Sequence, residues 1–450
     1  MTNAVIPYFI LQTLLVGWAV YWWVYRRDEI PLLITGFFLF CGSFRAIMLA
    51  LGLAESVTMG IETFALLDEK SYVDALGEIV FGETILVASY CLTQRKILPQ
   101  RMSGFPGHKR NWLVWSVFGI YAAILPIALI TRSHVSQQAS QGKSLAFEVS
   151  SYAILWPMGL VGVAILIICI WRFRLFIGLS EKLAAVLILT SIAWFTYGPS
   201  MRFLFLGWIL AGGVIWSATA HPSRRHLGLA AAGVLAVGIF GLAGAMRHED
   251  SGRGIGEDAL TRLTSAEDAN MLDGFVMLQR VFPEILPHTW GEEHLAILTR
   301  PIPRAIWPNK PVGGYMNKLG LFNATSSSTT GISPTLFGTF YQEGGLLGIV
   351  VLSVVYGYGL GRLIYWSAGL TPFAALVVRA STFAGLLPLM RSGDLPGVCA
   401  WLGMAFWPCA IILFFLRGSL RRGHGKRRRS SRTKIKNKII LRYAQGRDSI

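Results

Sequence analysis

The sequence predicts an all-α polytopic membrane protein of about eleven transmembrane helices with one large helical loop on the outer face. Three observations carry the prediction. Hydrophobic residues make up 53% of the 450 positions and charged residues only 14%, against roughly 25% charged in soluble domains. Mean hydropathy is +0.52. Apolar stretches of membrane-crossing length recur along the chain. The same composition excludes a disordered chain. Five cysteines without a CxxC exclude a disulfide framework and a cysteine metal cluster, and read as buried thiols.

A bilayer's hydrocarbon core takes about 20 mainly apolar residues per helix. Such stretches cover 4–25, 30–52, 72–93, 111–131, 149–171, 183–199, 201–220, 227–246, 335–360, 371–390 and 397–416. The first has no small-residue cleavage site, so it reads as a span and not as a removed signal. Organisation follows: spans within 1–246, a loop domain over 247–334, further spans within 335–416, and a tail over 417–450. Arg26, Arg27, the 94–110 loop, Arg172, Arg174, Lys182, Arg224, Arg225, Arg362 and the tail all fall on one side. The positive-inside rule makes that side cytoplasmic, with the N-terminus outside and the C-terminus inside. The tail holds 13 basic residues and one acid, Asp448, and so supplies +12 of the net +17. It reads as a topology anchor that touches anionic membrane lipid; no nucleic-acid partner is expected. No internal repeat is visible, which disfavours a secondary transporter.

The 247–334 loop is too rich in large apolar residues to be a linker. Its charges segregate, with ten acids over 249–293 and four bases and no acid over 294–334. Periodicity predicts an amphipathic helix over 266–282, with Met271, Phe275, Leu278 and Phe282 on one face and Pro283 as its stop. A second short helix is expected over 292–298.

Ionisable residues inside spans are expensive and need a cavity or a partner. Arg45 lies in the second stretch, Asp74, Glu78 and Glu83 in the third, and Arg379 in the tenth. The expected arrangement is an ion pair of Arg45 with Glu83 or Glu78; a proton or substrate path is the alternative. Arg202, Arg391 and Asp394 fall at the outer boundary. With Arg300, Arg304 and Lys310, the arginines place five cations on one face, which suits a diphosphate, because guanidinium presents a planar fork to phosphate oxygens.

The segment Trp290–Pro311 concentrates the chemistry. Prolines stiffen the backbone around Arg304, Trp307 and Lys310, presenting two cations and a flat aromatic face. "Ile302-Pro-Arg304-Ala-Ile-Trp307-Pro-Asn-Lys310-Pro311" resembles the PR-x-x-WP-(D/N)-KP signature of the oligosaccharide repeat unit polymerases, the O-antigen polymerase (Wzy-type) family. The likeness continues through Gly331-Ile-Ser-Pro-Thr335 and Gly338-Thr-Phe-Tyr-Gln-Glu-Gly344, and covers roughly residues 285–350. The chain departs from the family at Gln342-Glu343-Gly344-Gly345, where the family has Asn before Phe-Gly.

The resemblance implies a fold similar to C-type glycosyltransferases and a metal-independent reaction without a cofactor. Two lipid-linked oligosaccharides, donor and acceptor, meet at the outer leaflet. The growing chain is transferred as a block to a hydroxyl of a fresh unit, and undecaprenyl diphosphate leaves. A chain-length regulator and a repeat-unit flippase are the implied partners. Charge builds on the leaving diphosphate, so preplaced cations are required; Arg202, Arg300, Arg304, Lys310 and Arg391 are the candidates, with Trp307 as a sugar platform. The hydroxyl needs a base. His294 fits best by type, with His288 behind it; Glu292, Glu293, Glu343 and Asp394 are the carboxylates on the same face. No Asp-x-Asp metal motif occurs there. The alternatives are a ligase using the same donor, a lipid-linked glycan transporter, and a scaffold subunit.

Overall fold

The computed structural model describes residues 2–54, 68–94, 107–140, 156–197, 202–221, 224–245, 270–300, 302, 306–307, 314, 318–319 and 333–420. Every regular element among them is helical: α1 (Thr2–Arg26), α2 (Ile30–Phe38), a π-helical segment (Leu39–Phe44), α3 (Arg45–Ala50), α4 (Glu69–Thr93), α5 (Gly107–Ser140), a 3-10 turn (Trp156–Met158), α6 (Gly159–Arg172), α7 (Leu179–Thr196), α8 (Arg202–Thr219), α9 (Arg225–Ala245), α10 (Met271–Val281), α11 (Glu292–Thr299), α12 (Thr335–Ser367), α13 (Pro372–Arg391) and α14 (Leu395–Leu420). The described part of each predicted apolar stretch overlaps one of these helices or the α2–π–α3 rod; 149–155, 198–199, 201 and 246 lie outside the described residues. Among the described residues, eight helices are long and apolar enough to cross a membrane, and Trp156–Arg172 and Phe205–Thr219 are shorter apolar helices. The protein is an all-α polytopic membrane protein. Its cysteines are free, and buried or half-buried.

Two cores organise the bundle. One joins α2, the π-helical segment, α4, α9, α10 and α12; the other joins α5, α6, α7 and α14. α8 and α13 hold the two together through opposite faces. In α13, Phe383, Leu386 and Met390 face the first core, while Phe373, Val377 and Ala380 face the second. α4 and α12 approach closely because Gly357 and Gly361 leave room: a Cβ on either would collide with the Leu86 or Tyr90 carbonyl oxygen. Such small-x-x-x-small spacing lets membrane helices pack backbone to backbone. Gln94 then donates to the Gly361 carbonyl, 2.7 Å away.

The structure differs from the sequence reading at three places. α10 is the described part of the amphipathic helix predicted over 266–282, with 266–269 outside the described residues, but instead of belonging to a separate loop domain it packs into the first core. Met271, Leu272, Phe275, Val276, Met277, Leu278, Val281 and Phe282 are all buried in the first core. The reason is electrostatic as well as apolar. Asp273 on its other side is 0% exposed and takes Arg45 Nε at 3.0 Å and the Tyr72 hydroxyl at 2.8 Å.

Arg45 is therefore paired with the loop helix, not with Glu78 or Glu83 as expected. Glu78 takes Gln279 of α10 at 3.0 Å instead, and Glu83 takes Gln12 of α1 at 2.6 Å. Arg379 of α13 is likewise tied to the α1–α2 turn, where it donates to both carboxylate oxygens of Glu29.

The third difference is in α12. Phe340 and Tyr356 have ring centroids 4.9 Å apart, whereas a straight helix separates residues sixteen positions apart by about 24 Å. The chain folds back at Gly344 and Gly345, whose backbone leaves the helical region. Gly345 has φ +61° and ψ −144°, a conformation that side chains of L-residues resist. The ninth predicted span is thus a short arm, Thr335 to Glu343, followed by a long arm to Ser367.

Candidate functional site

The bend in α12 creates the site. At the end of the short arm, helical hydrogen bonding stops, and the Gln342 and Glu343 carbonyls are open to outside partners. The turn before α11 supplies them: Thr289 N–H reaches Gln342 O at 3.0 Å, and Trp290 N–H reaches Glu343 O at 2.8 Å. The Trp290 ring lies beside Gly344, where an added Cβ would stand 3.2 Å from it. The His288 ring lies beside Gly345 in the same way. Gly291, at φ +98°, turns the chain into α11.

This seam brings His294 and Glu343 together. Glu343 is only 4% exposed. Its Oε1 is 2.9 Å from His294 Nδ1. Its Oε2 accepts from the Thr289 hydroxyl at 3.2 Å and from the Gly291 N–H. A carboxylate that accepts on both oxygens places the imidazole proton on Nδ1, which leaves Nε2 as an acceptor. Nε2 stands 3.0 Å from the Tyr356 hydroxyl on the long arm of α12. A half-buried imidazole, oriented by a carboxylate on one nitrogen and open to a hydroxyl on the other, has the geometry of a general base.

Glu293, next to His294, faces inward and is 1% exposed. It gathers donors from three directions: Gly314 N–H at 3.1 Å, Gln342 Nε2 at 2.8 Å and Lys318 Nζ at 3.3 Å. Burial pushes its carboxyl above the usual range, against the pull of the Gly314 N–H and the Lys318 ammonium. Glu292 faces out and pairs with Lys318 at 2.8 Å.

The short arm also links His294 to the α13–α14 turn. Thr339, one helical turn before Glu343, has its hydroxyl 3.0 Å from that of Ser392, the residue after Arg391. Asp394 is the N-cap of α14, its Oδ1 accepting from Gly397 N–H at 3.1 Å. Gly314 nestles against Asp394, where an added Cβ would stand 3.3 Å from the Asp394 Cβ. Arg391 ends α13, where a cation complements the helix dipole.

Of the sequence candidates, the nine-residue arm carries Glu343 and holds His294 through it, and it touches Ser392, which lies between Arg391 and Asp394 in the chain; Glu292 opens α11. Arg300 caps the end of α11, and Trp307 is 38% exposed. Arg304 and Lys310 lie outside the described residues. Arg202 opens α8, and its side chain lies outside them too. Sequence reasoning missed Tyr356, Thr289 and the role of Gln342. The signal available was the Gly344-Gly345 doublet, which interrupts an apolar run as broken membrane helices do. No family model, curated protein or solved structure matches the chain.

Proposed function

We infer that the chain is an oligosaccharide repeat unit polymerase acting on undecaprenyl-diphosphate-linked glycans at the outer face of a bacterial inner membrane. The observation that carries this reading is the Glu343–His294 pair, set at a helix break beside the Trp290–Pro311 segment whose sequence resembles that family. In this reading His294 Nε2 takes the proton of the acceptor hydroxyl, either directly in place of the Tyr356 hydroxyl or through it. Glu343 holds the ring in position and stabilises the imidazolium that forms. Arg391, with Arg202, Arg300, Arg304 and Lys310, stabilises the charge that develops on the leaving diphosphate. Trp307 offers its face to a sugar. The N-terminus is periplasmic and the basic tail cytoplasmic; a repeat-unit flippase supplies substrate, and a chain-length regulator limits the product.

A transporter is the second reading, favoured by the broken α12 and by Glu83 within the bundle. Mass spectrometry of lipid-linked glycans from cells lacking the gene separates the readings. Accumulated single repeat units with no polymer are the expected result. Full-length polymer stranded on undecaprenyl diphosphate would indicate a ligase instead. Units confined to the inner leaflet would indicate a transporter, and an unchanged profile would defeat all three.

A further inference from the structure

α4 carries a carboxyl that the polymerase chemistry does not use. Glu83 is 0% exposed, and its Oε2 accepts from Gln12 Nε2 of α1 at 2.6 Å. Gln12 is itself fully buried, and its Oε1 accepts from the Ser43 N–H at 3.3 Å. A backbone N–H only donates, so this contact fixes the amide with its oxygen toward Ser43 and its nitrogen toward Glu83. Gln12 therefore gives Glu83 one neutral hydrogen bond and no countercharge. Among the described residues, Glu83 Oε1 has no hydrogen-bond partner, and neither do the buried hydroxyls of Ser43 and Thr35. Ser43 and Cys41 belong to the π-helical segment, a rare backbone form that concentrates at functional sites.

The groups packed around Glu83 confirm the lack of a countercharge among the described residues. α1 presents Gln12, and Tyr8 lies further along at Gly77. The π-helical segment presents Cys41, whose thiol is within electrostatic reach of Glu83. Arg45, in the next turn, is committed to Asp273 of α10. α10 also presents Gln279, bound to Glu78, and Arg280, bound to Asp68. On α4 itself Asp74 and Glu78 are acids. α12 presents Phe337 and Ile349, which both press on Gly82.

An ionised carboxylate here would be an uncompensated charge inside hydrocarbon, which costs far more than binding a proton. We propose that Glu83 is a membrane-embedded proton-binding site. The proton comes from water and forms an O–H bond on Oε1, cancelling the carboxylate charge. It returns to water when Gln12 and the π-helical segment part from α4. The site lies under the bend that carries Glu343: a Cβ on Gly82 would stand 2.7 Å from Phe337 on the short arm and 2.9 Å from Ile349 on the long arm. The site stands whether or not the chain is a polymerase.

The test uses the full-length protein in proteoliposomes. N,N′-dicyclohexylcarbodiimide, a membrane-soluble reagent, adds to protonated carboxyls, and peptide mass spectrometry locates the adduct. The expected result is an adduct on Glu83 at neutral pH that sodium does not suppress. Its yield falls about tenfold for each pH unit above the midpoint. No adduct on Glu83 at any pH would overturn the proposal. Suppression by sodium at constant pH would overturn it in favour of a sodium site. Infrared difference spectra give a second readout: the carbonyl band of a protonated carboxyl is expected in the wild type and lost in Glu83→Gln. Identical spectra would count against the site.

Discussion

At the residue scale the decisive contact is the one between His294 and Glu343. Glu343→Gln keeps the shape of the side chain but has one acceptor oxygen where His294 Nδ1 and the Gly291 N–H need two, so an NH2 must face one of these donors. On the polymerase reading proposed above, product formation should fall by about 10²–10⁴-fold in Glu343→Gln and in His294→Ala, with protein level unchanged. Polymer of normal amount from either variant would remove the pair from the mechanism. Glu293 makes a different prediction. Its folded-state carboxyl is raised by burial, so the folded protein binds its proton more tightly than the unfolded chain does. The contribution to stability is full below the unfolded value of about 4 and is lost as pH rises through the raised value. Thermal unfolding of the wild type, measured against Glu293→Gln, should lose ground across that window. A constant difference between the two would show that the Glu293 carboxyl titrates alike in the folded and unfolded chain. Both residues were legible as candidates from type and position. What they touch was not, because Glu343 lies 49 positions from His294 and faces it only through the bend.

At the element scale, two features depend on backbone and pairing rather than on hydrophobicity. The first is the bend in α12. Gly345→Ala places a Cβ at φ +61°, with His288 Nε2 at 3.3 Å. The expected cost is about 1–2 kcal/mol, read as a lower unfolding temperature in detergent. A variant as stable as the wild type would mean the bend tolerates ordinary side chains. The second is the seating of α10. Arg45 and Asp273 are 1% and 0% exposed, and stranding one buried charge costs about 3–5 kcal/mol. Asp273→Leu should lower the yield of folded protein sharply, and adding Arg45→Met should recover much of it. No recovery in the double variant would show that Asp273 matters through Tyr72 alone. The amphipathic pattern of α10 was readable from Met271, Phe275, Leu278 and Phe282. Its burial was not, since the same pattern suits a helix lying on a surface.

At the scale of the whole molecule, the bundle has two chemically distinct ends. The seam of His294, Glu293 and Asp394 lies at one, and the Arg379–Glu29 tie lies towards the other. Leu298, 75% exposed on α11, marks the first end. In spheroplasts a membrane-impermeant maleimide should label Leu298→Cys and leave Ser430→Cys in the tail unlabelled until the cells are opened. The reverse pattern would invert the orientation drawn from the basic loops.

The sequence by itself determined that the chain is an all-α, multi-pass membrane protein, and where its helices run. Hydrophobic length and composition add up locally, so a window of about 20 residues carries that information. Only the tertiary structure decided which charges meet. Arg45 and Asp273 are 228 positions apart and Arg379 and Glu29 are 350 apart. A buried charge takes whichever partner helix packing brings within about 3 Å, and that choice is made by the whole bundle at once. The same holds for the seam at Glu343: two glycines permit the bend, but the turn at Thr289 and Trp290 has to arrive there to satisfy the carbonyls it opens.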